Sequence, residues 1–187
     1  LETATSIVGE RGGETALDAL DPTETPAARH GLDLAILDRR AREAGQSLSR
    51  YLARTPSKSV PVNATVGDAS PEETAERADE AVTAGFETIK LKVGARSVSA
   101  DVSRIRAVRD AVGPAVTIRA DANAAWTPQE ARRAIDELAT VEVSYVEQPL
   151  AADDLAGHAE LRGNDVEIAL DESLRATGLD AILGADA

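Results

Sequence analysis

The sequence predicts an α/β fold in which parallel strands alternate with helices, and three observations lead to it. Short β-branched runs recur at intervals of about 25 residues, the length of a βα unit. Amphipathic segments with helix-capping residues separate these runs. Charged residues occupy only one face of each run, which favours a sheet curving into a barrel with a polar interior over an open sheet covered by helices on both faces.

Five strands are predicted from runs of apolar and β-branched residues that end in polar residues. Consecutive strands joined by helices are expected to lie parallel and to be connected by right-handed crossovers. The predicted strands are 60–66, 88–93, 115–121, 143–147 and 166–171.

The helices between the strands are predicted from their capping residues. Ser70 and Thr127 each precede a proline, and Glu73 and Glu130 follow at the third helical position, as in a capping box. A third helix is predicted to begin at Ser99. Glycines 85 and 113 are predicted helix stops, and the weaker helix candidates are 155–162 and 176–183.

The first part of the chain lacks this repeat. Two helices are predicted within 25–45 and 47–53, whereas 9–13 and the surroundings of Pro22 and Pro26 show no period and are predicted as loops. We therefore expect 1–57 to be the end of a preceding domain or a lead-in, and 58–187 to form the βα domain.

The composition narrows the class of protein. The chain has 33 acidic and 20 basic side chains and a net charge of −13, which argues against a nucleic-acid or anionic-membrane surface. Three lysines against seventeen arginines, with this acidic excess, are typical of proteins adapted to high salt. The chain has no cysteine, which excludes disulfides, and no apolar run of transmembrane length, so we expect a cytoplasmic protein.

Side-chain alternation places the charges of the strands. In the second strand Ile89 and Leu91 share one face, while Lys90 and Lys92 share the other. In the third, Arg119 is expected to point into the barrel and to pair with a carboxylate, in either a structural or a tuning role. The charged residues expected at the carboxyl ends of the strands, which form the catalytic end of a βα barrel, are Lys92, Asp121, Glu147 and Asp171.

These four residues suggest a chemistry. Three carboxylates at one rim would repel one another unless a cation bound them, and oxygen ligands suit Mg²⁺, with Mn²⁺ as an alternative. Such a metal would acidify the proton next to a substrate carboxylate, and neutral Lys92 would be the base. The neighbouring ammonium of Lys90 is expected to favour that neutral form.

The same motifs carry a resemblance. The Lys-x-Lys of "KLKVG", "RADANAAW" with Asp121 and Asn123, "VEQPL" with Glu147, and "ALDESL" with Asp171 and Glu172 resemble the enolase superfamily in its muconate-lactonizing-enzyme-like branch. The resemblance spans about 60–175. It implies Lys92 as general acid/base, Asp121, Glu147 and Asp171 as Mg²⁺ ligands, and Asn123, Arg119 and Glu172 as substrate-binding or supporting residues.

The resemblance also implies an architecture. Members of the branch have a modified (β/α)7β barrel and an amino-terminal α+β capping domain, and they are nearly twice as long as this chain. We therefore expect a fragment containing the end of the cap and five βα units of the partial TIM-like barrel, with the second catalytic lysine beyond Ala187. Such a fragment is expected to show little turnover alone.

Within the branch, "VNATV" and "ALDESL" look most like o-succinylbenzoate synthase of menaquinone biosynthesis, which removes a proton next to a carboxylate and expels water. Dipeptide epimerases and muconate cycloisomerases share the quoted motifs. All three imply a small-molecule carboxylate substrate, and a homo-oligomer is compatible with them. A non-catalytic acidic domain that binds cations or a protein partner is the alternative of another class.

Other residues are expected to be structural. Trp126 is expected to pack at the junction between strand and helix rather than to stack on substrate. Asn123 is expected either to bind a ligand carboxylate or to cap a turn. His30 and His158 lie on predicted helices away from the rim and are expected to be surface residues.

Overall fold

The computed structural model describes residues 2–11, 13–22 and 24–187, with side chains for residues 5–7, 9–11, 13–22 and 24–187. The chain divides into two compact units, one ending at Val60 and the other covering Pro61–Ala187. Within the described residues, no helix is long and apolar enough to cross a membrane.

The first unit is helical. Ile36 and Ala41 on its longest helix are buried, as are Ala16 and Leu20. The loop predicted over 9–13 is wrong, because helix extends through Arg11 and resumes at Gly13, while Gly12 lies outside the described residues. The helices of this unit are α1 (Glu2–Arg11), α2 (Gly13–Ala19), α3 (Pro26–Glu43) and α4 (Leu48–Leu52).

The second unit is a parallel five-stranded sheet in the order β1-β2-β3-β4-β5, with helices between the strands. The predicted parallel α/β fold is confirmed. The strands are β1 (Ala64–Val66), β2 (Thr88–Lys92), β3 (Thr117–Asp121), β4 (Val143–Glu147) and β5 (Glu167–Ala169). The helices are α5 (Pro71–Thr83), α6 (Val98–Val112), α7 (Pro128–Ala139), α8 (Leu155–Glu160), α9 (Glu172–Thr177) and α10 (Leu179–Ala185).

The predicted alternation of faces is confirmed in the middle strands. Ile89, Leu91, Ile118 and Val146 are fully buried in one hydrophobic core. Lys90, on the other face, is only partly buried. The apolar face is buried by the helices, and burial of one such side chain contributes about 1.5–3 kcal/mol.

The two edge strands are shorter than predicted. Val60 and Val62 are exposed and precede β1, so the first strand begins later than the predicted 60–66. At the other edge, strand pairing ends at Ala169. An edge strand pairs on one side only, so propensity alone does not extend it to the length of the β-branched run.

The helix boundaries follow local hydrogen bonds. The Ser70 hydroxyl accepts from the Glu73 backbone N–H, and Thr127 and Glu130 form a complete capping box. The Glu73 carboxylate pairs with Arg77 instead of closing the predicted box at Ser70. Helix α6 is capped by Ser97 and not by Ser99, because the Ser97 hydroxyl accepts from the Ala100 N–H. The single helix predicted over 176–183 is broken at residue 178, a glycine with φ +83°.

Candidate active site

Parallel pairing sets charged residues side by side at the carboxyl ends of three strands. Lys92 pairs in register with Asp121, and Asp121 pairs with Glu147. Two residues earlier along each strand, Lys90 pairs with Arg119, and Arg119 pairs with Tyr145. Because these positions share one face of the sheet, their side chains converge above it.

Asp121 is the centre of the cluster. Its Oδ2 lies 2.6 Å from Lys92 Nζ and 2.9 Å from Lys90 Nζ, and its side chain is only 1% exposed. Burial alone would raise the pKa of Asp121, but hydrogen bonds from the two lysines outweigh burial and hold this pKa below its ordinary value. Asp121 is therefore an anion at neutral pH.

Lys90 bridges two carboxylates. Its Nζ lies 2.7 Å from Glu147 Oε2 in addition to its contact with Asp121. Burial opposes the charge, but hydrogen bonds to Glu147 and Asp121 outweigh it and raise the pKa of Lys90. Lys90 therefore stays an ammonium.

Lys92 differs from Lys90 in its exposure. The side chain of Lys92 is 41% exposed, whereas that of Lys90 is 17% exposed. Besides Asp121, Lys92 donates to the side-chain oxygen of Asn123 at 2.7 Å. Lys92 is thus the lysine of the pair that a molecule above the sheet can reach.

Asn123 connects the lysines to the start of α9. Its side-chain amide donates to Glu172 Oε1 at 3.0 Å, and its backbone N–H donates to Asp121 Oδ1 at 3.2 Å. The residue has φ +45°, a left-handed conformation that asparagine tolerates. The structure therefore links Asn123 and Glu172 with Lys92, and Asn123 does more than cap a turn.

The structure brings two of the three predicted carboxylate ligands together. Asp121 and Glu147 share the Lys90 ammonium, whereas Asp171 begins α9 without capping it through its side chain. Over residues 2–11, 13–22 and 24–187 no three His, Cys, Asp or Glu side chains form a ready metal-binding group. The donor set still fits Mg²⁺, because it contains only oxygens and its two adjacent carboxylates already hold a cation in the form of Lys90.

Of two other predicted residues, Arg119 makes a different contact from the one expected and Trp126 does not. The Arg119 guanidinium lies over the Tyr145 ring, 5.0 Å from its centroid, and in the described chain its buried Nε has no hydrogen-bond partner. Arg119 was expected to pair with a carboxylate and instead makes a cation–π contact. Trp126 is buried in the core, as expected.

Sequence reasoning missed a buried polar network beneath the rim. The Gln148 side-chain oxygen accepts from the backbone N–H groups of Asp171 and Ser173 at 3.1 and 3.0 Å. Its side-chain nitrogen donates to Ser173 Oγ and to the Leu150 carbonyl. The sequence feature that could have indicated this network is the glutamine at position 148, between Glu147 and a proline. Gln148 thereby fixes the backbone that carries Asp171.

His158 belongs to the same network, so its predicted surface position is wrong. The side chain is fully buried, Nε2 accepts from the Leu150 N–H at 3.3 Å, and Nδ1 lies 2.8 Å from the Asp154 carbonyl. This pattern corresponds to the neutral tautomer with hydrogen on Nδ1. Burial lowers the pKa of His158. His30, by contrast, is exposed on α3 as predicted.

A close approach of two loops shapes the rim. Gly94 has φ +91°, and a Cβ at this position would lie 2.5 Å from the Ala125 Cβ and 3.2 Å from the Ala122 carbonyl oxygen. Only glycine fits both the conformation and the space. The loop after β2 is therefore held tightly against the loop after β3, next to Lys92 and Asn123.

This chain belongs to the Enolase C-terminal domain-like family, whose sequence profile matches residues 73–178. The matched span contains Lys90, Lys92 and the three carboxylates of the rim. The resemblance to the enolase superfamily is thereby confirmed.

Two relatives in sequence differ in their reactions. The chain is 39% identical over 132 residues to a hydrophobic dipeptide epimerase from Enterococcus faecalis, covering 71% of this chain and 37% of that protein. It is 45% identical over 118 residues to an o-succinylbenzoate synthase from Thermobifida fusca, covering 62% and 36%. The match to the synthase has the higher sequence identity, and the match to the epimerase covers more residues. The two matches therefore agree on the family and differ on the reaction.

A solved structure agrees in fold. The dipeptide epimerase from Enterococcus faecalis V583, crystallised with Mg and the dipeptide L-Leu-L-Tyr, matches with a TM-score of 0.78 and 34% identity. The match covers 91% of this chain and 47% of that one. This chain thus spans about half the length of that relative.

Proposed function

We propose that this chain carries the base and part of the metal site of an enzyme that removes the proton next to a carboxylate group. The observation that carries the proposal is the position of Lys92, which is accessible above the sheet and held by Asp121 and Asn123. The relatives of this chain include enzymes named as epimerases, racemases and a synthase. Removal of such a proton is a step that suits all of these reactions.

The role of Lys92 is to accept the proton. As a neutral amine, it takes the α proton into an N–H bond, and the electrons of the broken C–H bond move into the substrate's carboxylate as an enediolate. Lys92 then returns a proton to the same face. Its contacts to Asp121 and Asn123 hold the amine in one place, which lowers the entropic cost of reaching the reactive geometry.

The carboxylates and Lys90 create the electrostatic setting. Asp121 and Glu147, with Asp171 on the neighbouring strand end, would hold Mg²⁺, and the bound ion would neutralise charge developing on the substrate carboxylate. Lys90 stays an ammonium between Asp121 and Glu147. Its positive charge lies beneath the rim and also favours an anionic substrate group above it.

The substrate class we propose is a dipeptide, epimerised at its second residue. In a dipeptide only the carboxyl-terminal residue has a free carboxylate next to its α carbon, so only that proton is activated by this site. The support is the dipeptide epimerase match in sequence over 71% of the chain and in structure over 91% of it.

A second candidate is the water-eliminating reaction of o-succinylbenzoate synthase. The 45% identity to the Thermobifida fusca synthase over 118 residues favours it. The first step is the same abstraction by Lys92, and the two reactions differ in whether a hydroxide leaves from the adjacent carbon. Cytoplasmic location, a homo-oligomer and a preceding cap domain stay predictions.

The experiment measures α-proton exchange. The full-length protein is incubated with Mg²⁺ and L-Leu-L-Tyr in D2O, and loss of the tyrosine α-proton signal is followed by ¹H NMR. Lys92→Met is expected to slow this exchange by about 100- to 10,000-fold, the usual contribution of a general base. Exchange from one face requires only Lys92, whereas inversion requires a second acid on the opposite face.

The matched control is Lys58→Met, which removes the exposed third lysine of the chain and is expected to leave exchange unchanged. Exchange by Lys92→Met at the rate of the parent protein would remove Lys92 from the chemistry. The substrate of o-succinylbenzoate synthase is a succinyl-hydroxy-cyclohexadiene carboxylate. If this compound loses water while the dipeptide shows no exchange, the synthase reaction replaces the epimerase reaction. Tight Mg²⁺ binding with no exchange on either compound would favour a non-catalytic domain.

A further inference from the structure

Arg104 is a buried cation that no part of the proposed chemistry uses. It lies on α6, is 1% exposed, and Nη1 donates to the backbone carbonyl of Lys92 at 3.1 Å. Nη2 donates to the Gly67 carbonyl at 3.2 Å, just after β1. One guanidinium thus joins the carboxyl ends of β1 and β2.

Asp101, the ion-pair partner of Arg104, holds a second point of the same backbone, two residues beyond Lys92. Its Oδ1 accepts from Arg104 Nη1 at 2.8 Å, and its Oδ2 accepts from the backbone N–H of Gly94 at 2.7 Å. Asp101 is itself 2% exposed. The buried ion pair therefore fixes the backbone at Lys92 and at Gly94.

The Lys92 amine itself has few contacts that define its position. Its partly exposed side chain is flexible by nature, and its described hydrogen bonds go only to Asp121 and Asn123. The direction in which the side chain leaves the strand is set by the Lys92 backbone. That backbone is held on one side by the sheet and on the other by Arg104.

We propose that Arg104 is a positioning residue for Lys92. With Asp101 it clamps the segment from Lys92 to Gly94 onto α6 and so places the Lys92 amine against Asp121 and Asn123. The catalytic meaning of this placement rests on the proposed function, whereas the placement itself does not.

Arg109 provides a matched comparison on the same helix. Its guanidinium also donates to backbone carbonyls, namely those of Gly113 (2.8 Å), Val116 (2.7 Å), Val141 (3.2 Å) and Glu142 (3.0 Å). All four precede β3 or β4 and lie at the end of the sheet opposite Lys92. Arg109 thus makes the same kind of contact without touching the rim.

The experiment replaces each arginine by lysine, which keeps the charge but cannot reproduce the planar fork of donors. The chain has three lysines of its own, so ¹³Cε labelling of lysine gives a spectrum simple enough to assign. Arg104→Lys is expected to shift the Lys92 signal, with exposed Lys58 as internal reference. Arg109→Lys is expected to leave the Lys92 signal in place.

Kinetics supply the second readout. Because a displacement of about 1 Å costs on the order of 100-fold in rate, Arg104→Lys is expected to lower kcat for α-proton exchange by about 10- to 100-fold with little change in KM. Arg109→Lys is expected to change neither. Asp101→Asn, which keeps an acceptor for Gly94 but loses the ion pair, is expected to act like Arg104→Lys and decides the matter if Arg104→Lys does not fold.

The outcomes separate this inference from the proposed function. If the Lys92 signal moves in Arg104→Lys alone while the parent protein exchanges no α proton, the positioning inference stands and the proposed function falls. If the parent protein is active and both arginine variants leave the Lys92 signal and kcat alike, Arg104 is merely structural and the inference is overturned.

Discussion

The two ends of the sheet are built differently. At the carboxyl end, side chains contact side chains, with Lys90 and Lys92 against Asp121 and Glu147. At the amino end, the Arg109 guanidinium satisfies backbone carbonyls before β3 and β4. At the amino end, therefore, a charged side chain holds the loops in place. At the carboxyl end, charged side chains are concentrated against one another instead.

Backbone conformation shows the same contrast. Asn123, Ala124 and Gln148 follow the carboxyl ends of β3 and β4 and have φ of +45°, +63° and +42°, whereas before these two strands only Glu142, at +56°, has a positive φ among non-glycine residues. Such conformations cost on the order of 1–3 kcal/mol each and persist where the surroundings enforce them. Around these two described strands, positive φ is thus more frequent at the carboxyl end, where the candidate site lies.

The largest effect is expected from a matched pair of glutamates at the two ends of β4. Glu147→Gln removes a charge that faces Lys90, and we expect α-proton exchange to fall by about 100- to 1,000-fold, as for loss of one preorganised electrostatic contact. Glu142→Gln, exposed just before the strand, is expected to leave exchange unchanged. Exchange is measured by ¹H NMR in D2O, and equal rates in the two variants would contradict a functional difference between the ends.

The next effect is expected on stability. Gln148→Leu leaves the part-buried N–H of Asp171 and the buried N–H of Ser173 without their acceptor, and a fully buried group of this kind costs about 1–3 kcal/mol. We expect a loss of about 2–5 kcal/mol, measured by urea unfolding followed through the fluorescence of the single tryptophan, Trp126.

The comparison variant at the amino end is Arg109→Met, which also removes donors to several backbone carbonyls. We expect it to be destabilised by about 1–3 kcal/mol with α-proton exchange intact in the folded protein. Gln148→Leu is expected to lose exchange as well, because Asp171 is no longer held. If Gln148→Leu keeps full exchange when folded, the buried network does not support the site.

The fold and the meeting of two lysines with two carboxylates at the rim could be predicted from the sequence, because both follow from local patterns. Capping at Ser70 and Thr127 and the alternation of Ile89 and Leu91 with Lys90 depend on residues close in the chain. Parallel register then places Asp121 beside Lys92 once the strands are assigned. The rim could therefore be predicted without coordinates.

Other features depend on contacts between distant residues and were missed or wrong. The cation–π contact of Arg119 depends on a neighbouring strand, and burial of His158 depends on how α8 packs under the loop that follows β4. Asp101 and Arg104 had a detectable signal, because they lie on the apolar stripe of α6 with Val108. Charged residues on such a stripe require buried partners, and that requirement can be applied to a sequence in advance.

The smallest effect concerns pH and the buried imidazole beneath the carboxyl end. Burial lowers the pKa of His158 in the folded state, so the unfolded chain binds more protons as pH falls through the ordinary histidine value of about 6.5. The unfolding free energy is therefore expected to decrease below that pH and to be fully present above it. Protonation of His158 at Nε2 would also replace a hydrogen-bond acceptor with an N–H that faces the Leu150 N–H.

The measurement is urea unfolding followed through Trp126 between pH 7.5 and 5.5. His158→Phe removes the titrating group and is expected to flatten the pH dependence while lowering stability at all pH values, since the Leu150 N–H loses its acceptor. His30→Gln, on exposed α3 in the other compact unit, is expected to keep the profile of the parent protein. An equally steep loss of stability in His158→Phe would place the acid sensitivity elsewhere.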